Sequence, residues 1–117
     1  MPIQVSGEPY YRLTLDEAGE MYGDDDVAVI DVRRMDEYLE GHVKDAIFIT
    51  VDDILARIDE LPEDKKLLFI CAAGVRSGLA CEMAAAMGLD SERLFNIVDG
   101  TVPWIEKGLP ASYGADA

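Results

Sequence analysis

The chain has 117 residues, half of them apolar, and carries 24 acidic against 10 basic side chains for a formal charge of −14. That length fits one domain able to bury a core without staples, and the patterned apolar half argues against disorder. The charge, with no basic patch to offset it, argues against nucleic acid and anionic membrane as partners.

No apolar run is long enough to span a bilayer. The stretch Met1 to Arg12 lacks a basic region followed by an apolar one, so no secretory signal is expected and the chain reads as cytoplasmic. Two cysteines ten positions apart, Cys71 and Cys81, make neither a disulfide framework nor a metal motif. The acidic balance is compatible with a high-salt source and equally with solubility alone.

Taken in order, residues 1–12 read as an irregular lead-in, with Pro2, Gly7 and Pro9. Thr14 and Glu17 form a capping box, predicting a short helix to about Met21 that Gly23 ends. Asp24-Asp25-Asp26 reads as a solvated turn rather than a divalent-ion site, since one run lacks spaced ligands. Val27 to Val32 is a near-continuous β-branched run, expected for a strand buried on both faces. Asp31 and Arg33 break that run and are expected to pin the following turn as an ion pair; a sharper alternative lends Arg33 to an anion site.

A short helix, Met35 to Glu40, is predicted to stop at Gly41. His42, the single histidine, invites a role as general base, but its place at a strand entry reads as structural. Ala46 to Ile49 is predicted as a strand. Ile54, Leu55, Ile58 and Leu61 recur at helical spacing, predicting a helix over 52–61 ended by Pro62. From Ser77, the residues Leu79, Ala80, Met83, Ala84 and Met87 predict a buried helical stripe, with Cys81 in the core and Gly88 as the stop. Leu94 to Val98 is a further strand, Asp99-Gly100 a turn, and Thr101 the cap of a short helix around Pro103 and Trp104. Residues 111–117 read as frayed.

The chemistry concentrates between the apolar run Leu67-Leu68-Phe69-Ile70 and the following helix, in Cys71-Ala72-Ala73-Gly74-Val75-Arg76-Ser77. A buried strand that ends at a thiol and turns through small residues into a helix start directs unpartnered backbone N–H groups into the loop. Such a cradle favours a thiolate. Ala72, Ala73 and Gly74 leave its centre open, and Arg76 adds a permanent cation. The loop is a candidate site for a nucleophilic sulfur and an anion; the plainer alternative is a buried cysteine packed as a small hydrophobe.

At this loop the chain resembles the single-domain rhodanese (thiosulfate sulfurtransferase) family. The resemblance rests on Ile30-Asp31-Val32-Arg33, Glu37-Tyr38, Gly41-His42-Val43, the cysteine loop through Arg76-Ser77, Asn96-Ile97-Val98-Asp99-Gly100, Trp104 and Gly108-Leu109-Pro110, in order over residues 12 to 110. Asp45 stands where the family often has Gly, and Asp99 where a Gly-Gly pair is usual.

Strands alternating with helices predict an α/β fold, a parallel sheet covered on both faces with the loop at a strand's carboxyl end. The resemblance implies a three-layer α/β/α domain with about five strands. It also implies sulfur transfer through a Cys71 persulfide, with the N–H groups of residues 72–77 and Arg76 holding a small anionic donor such as thiosulfate. A thiophilic acceptor (cyanide, a thiol or a sulfur-accepting protein) would follow, with no metal or organic cofactor, and His42 without acid–base duty.

Two rivals share this architecture. One is a persulfide carrier or binding module serving a partner protein. The other is a cysteine phosphatase or arsenate reductase, whose loop is one residue longer than the six residues from Cys71 to Arg76.

Overall fold

The run Lys66–Ile70 forms the central strand, because its side chains alternate between two apolar layers. Leu67 and Phe69 face one buried cluster, and Leu68 and Ile70 face the other. A strand with both faces covered needs apolar residues throughout, and all four are fully buried. The computed structural model describes residues 2–117. Its elements are β1 (Tyr11–Leu13), α1 (Leu15–Met21), β2 (Val27–Asp31), α2 (Met35–Glu40), β3 (His42–Val43), β4 (Ile47–Phe48), β5 (Lys66–Ile70), α3 (Val75–Ala86), β6 (Leu94–Ile97), α4 (Thr101–Glu106) and β7 (Ala111–Ser112).

Five strands make one parallel sheet in the order β1-β6-β5-β2-β4, and β3 pairs with β7 as a separate antiparallel ribbon. The small side chains Ala80, Cys81 and Ala84 let α3 pack closely on one face, together with Ile54 and Leu61. Ala18 of α1 and Trp104 of α4 cover the other. The expected three-layer α/β/α arrangement and five-stranded sheet are therefore present. The Thr14–Glu17 capping box closes the start of α1, and Asp24, Asp25 and Asp26 lie in an exposed turn.

Several local expectations fail. The helix over 52–61 is instead two 3₁₀ segments, Val51–Asp53 and Ile58–Glu60, joined by turns. Val51, Ile54, Ile58 and Leu61 still pack on the core, because spacings of three and four keep one face in either helix type, but Leu55 is exposed. In α3 the buried stripe is Ser77, Gly78, Ala80, Cys81 and Ala84; Leu79 and Met87 point outward. The helix also begins at Val75, inside the loop, two residues earlier than expected. The second predicted strand shrinks to Ile47–Phe48.

The ends of the chain are more ordered than their composition suggests. Tyr11–Leu13 pairs with β6, and Ile3 bridges Arg12 within the supposed irregular lead-in, of which Met1 lies outside the described residues. Residues 111–117 are not simply frayed: Ala111 and Ser112 pair with β3, and a carbonyl at Asp116 meets His42. No helix among the described residues is long and apolar enough to cross a membrane.

Candidate active site at the Cys71 loop

Cys71 follows β5 at the centre of the sheet's carboxyl edge, where it is buried. The chain then reverses through Gly74 in the left-handed region, with φ 87°, before α3 starts. Two constraints fix glycine there. The backbone needs a positive φ, and a Cβ would lie 2.9 Å from the Val98 carbonyl oxygen. The tight turn brings the Gly74 N–H to 3.1 Å from Cys71 Sγ, to which it donates. Ala72, Ala73 and Val75 are exposed around the mouth and bring no charge.

Burial by itself pushes the Cys71 thiol up. The N–H groups of Ser77, Ala73 and Gly74, joined by the Ser77 hydroxyl whenever its proton faces the sulfur, outweigh it, and the thiol lies below its ordinary value. Cys81, fully buried within α3 and without such donors, is pushed well up by its burial. Both cysteines are free. The arrangement thus separates one ionisable sulfur from one inert one.

Arg76 is engaged. Its Nη1 and Nη2 donate to the two carboxylate oxygens of Glu37 at 2.6 and 2.9 Å, and Glu37 also accepts the Arg34 N–H. The Arg76 hydrogen bonds hold the Glu37 carboxyl at about 2, against the opposing pull of burial. The cation expected to face an anion is therefore largely neutralised across the gap between α3 and α2.

Asp31 and Arg33 form a buried pair. Arg33 Nε and Nη2 reach the Asp31 carboxylate at 3.0 and 2.7 Å, the Arg33 N–H caps the same carboxylate, and Nη2 donates to the Gly41 carbonyl. This ties the end of β2 to the end of α2, the element that carries Glu37. The His42 ring stacks on Tyr38 at 3.7 Å, and its nitrogens face the carbonyls of Tyr38 (2.8 Å) and Asp116 (2.6 Å). Both ring nitrogens are thereby occupied by α2 and the C-terminal segment.

Sequence reasoning gave no site role to four residues that shape the loop. Asn96 bonds Ser77 and the Gly74 carbonyl; its signal was a polar residue inside the apolar strand Leu94–Ile97. Thr101, expected to cap α4, instead donates both its N–H and its hydroxyl to the Cys71 carbonyl at 3.0 Å, while Gly100 takes the cap position. Gly100 itself admits no side chain, since a Cβ would fall 1.9 Å from the Ala72 carbonyl oxygen. Glu37 gave no local signal, because its partner lies 39 positions away.

Proteins of similar sequence and fold are known. A sulfurtransferase from Allochromatium vinosum is 31% identical over 86 residues, covering 74% of this chain and 78% of that protein. The thiosulfate sulfurtransferase GlpE of Glaesserella parasuis is 24% identical over 92% of this chain and 97% of its own. The crystal structure of a rhodanese-related protein from Thermoplasma volcanium superposes with a TM-score of 0.72 at 29% identity, covering 86% of this chain and 96% of that one. The rhodanese-like domain family matches residues 14–107, four-fifths of the sequence and every element from α1 to α4. The cysteine at the sheet's carboxyl edge and four of the five strands of the parallel sheet beneath it thus sit inside the matched region, and the chain belongs to the rhodanese-like domain family.

Proposed function

We propose that the protein is a sulfurtransferase that carries a sulfane sulfur on Cys71. The observation that carries this reading is the buried Cys71 sulfur receiving the Gly74 N–H at 3.1 Å in a loop whose exposed side chains are small and uncharged. A terminal sulfur bound to this thiol extends into a cradle of N–H groups, which stabilise its negative charge.

In the loading step the Cys71 thiolate attacks the outer sulfur of thiosulfate. A sulfur–sulfur bond forms at Cys71, the sulfur–sulfur bond of the donor breaks, and sulfite leaves with the bonding pair. In the second step a thiophile such as cyanide attacks the terminal sulfur and returns the thiolate. The reaction is covalent catalysis in two half-steps. Neither step calls on a metal or organic cofactor, and His42 has no ring nitrogen to spare as a base. The buried sulfur and six-residue loop suit a slender terminal sulfur better than a tetrahedral phosphate. Two free thiols fit a reducing, cytoplasmic setting.

The Arg76–Glu37 pair favours a second reading, a persulfide carrier for a partner protein. With its cation neutralised, the loop holds dianionic thiosulfate by backbone donors alone, so a donor of lower charge, or a protein persulfide, would load it better. Intact mass after incubation with thiosulfate tests both. A gain of one sulfur atom, removed by cyanide and absent from Cys71→Ser, is the expected result. Loading only by persulfide donors assigns the carrier role, and no loading by either class rejects sulfur transfer.

A further inference from the structure

Asn96 Nδ2 donates to the Gly74 carbonyl at 3.0 Å, which can only accept, so the orientation of the Asn96 amide is fixed. Its Oδ1 then faces Ser77 Oγ at 2.6 Å and must accept the serine proton. A hydroxyl has one proton. Ser77 Oγ, which also lies 3.2 Å from Cys71 Sγ, therefore has only a lone pair to offer the sulfur. Asn96 and Ser77 are both buried, so water does not supply the missing proton.

We propose that Asn96 is a positioning residue: by taking the Ser77 proton it leaves the Cys71 thiol hydrogen-bonded to Ser77 Oγ and the backbone N–H groups alone to favour the thiolate, which gains a further donor when that hydroxyl turns from Asn96 to the sulfur. The chain runs Cys71 S–H to Ser77 Oγ, Ser77 O–H to Asn96 Oδ1, and Asn96 N–H to the Gly74 carbonyl. Its far end closes on the residue whose own N–H donates to the sulfur. The Gly74 carbonyl also accepts the Gly78 N–H, so the loop keeps its anchor if Asn96 is removed. The inference rests on Cys71 as the reacting sulfur and not on which donor loads it.

The charged and titratable groups near the sulfur are Arg76 and Cys81 on α3, Glu37 of α2 against Arg76, and Asp31 at the end of β2, which acts on Arg76. Asp99, between β6 and α4, is spent on the Leu15 N–H. None of these is altered by the variants that follow.

The test is a pH titration of protein labelled with ¹³C at cysteine Cβ, whose shift reports thiol ionisation, with the Cys71 signal assigned by its loss in Cys71→Ser. In Asn96→Ala the freed Ser77 proton donates to the thiolate. The Cys71 midpoint is expected to fall by about one pH unit, raising the thiolate fraction below the midpoint on the order of tenfold. Asn96→Asp keeps an acceptor for the proton, and its midpoint is not expected to fall. Ser77→Ala removes an acceptor of the thiol and no donor to the thiolate, so its midpoint is expected to fall or stay. A rise in Ser77→Ala, a fall in Asn96→Asp or no fall in Asn96→Ala overturns the proposal. Because the titration reads the thiol and not turnover, its failure is distinguishable from a failure of sulfur loading.

Discussion

At Gly100 the backbone has φ 88° and ψ −176°, a combination reserved almost wholly for glycine. An added methyl would overlap the Ala72 carbonyl, in a stretch where the neighbouring Thr101 also binds the Cys71 carbonyl. Gly100→Ala is therefore expected to destabilise the fold by roughly 3 kcal/mol, part backbone strain and part overlap. Urea unfolding reads this as a lower midpoint, and persulfide loading should fall because the loop is pushed off its support; an unchanged midpoint would reject the contact. Asp45, one of the two departures from the family pattern, has φ 65°, so the position wants a left-handed residue and aspartate is among the few side chains that tolerate it. Asp99, the other, accepts the Leu15 N–H at the start of α1. Cys71 and its small neighbours were legible because strand, thiol, glycine and helix are contiguous. The Asn96 and Thr101 bonds were not, since they join residues 19 to 30 positions apart.

Between elements, the Arg76–Glu37 pair ties α3 to α2 across the loop, and its effect on stability has a definite sign. Glu37 ordinarily titrates near 4.5 and is held at about 2 in the folded protein. A carboxyl lowered on folding adds stability above its unfolded value and loses it as pH falls through the folded one. The contribution is thus whole above about pH 4.5 and declines toward pH 2. Both side chains keep a fifth or more of their surface in water, which limits the pair to about 1 kcal/mol. Urea unfolding at pH 5 and pH 3 should show the wild type losing part of that contribution relative to Glu37→Gln; parallel losses would mean the pair is energetically idle. In the same variant Arg76 is released toward the loop, and the thiosulfate KM should fall several-fold. Elements encoded within a few residues, such as the α1 capping box and the stop of α2 at Gly41, could be read directly. The 52–61 segment could not, because its apolar spacing satisfies an α-helix and a 3₁₀ turn alike and ten residues are too few to nucleate a helix unaided. Strands β1 and β7, three and two residues long, owe their existence to their partners.

For the molecule as a whole, alternation of strands and helices gave a parallel sheet, whereas the order β1-β6-β5-β2-β4 depends on pairings between strands that are not neighbours in sequence. That order puts β5, and hence Cys71, in the middle of the sheet, furthest from either edge. The net charge of −14 then surrounds a loop whose cation is already paired. An anionic donor approaching such a surface is repelled until it is close, and salt shortens that repulsion to about 10 Å at 0.1 M. The rate constant for loading Cys71 with thiosulfate should therefore rise with ionic strength, several-fold between about 0.01 and 0.3 M sodium chloride. This is the reverse of an enzyme that draws its anionic substrate in with a basic funnel. Stopped-flow loading followed by cyanide release measures it directly. A rate that fell with salt would mean that the donors at the loop, with Arg76 swung away from Glu37, outweigh the charge of the entire surface.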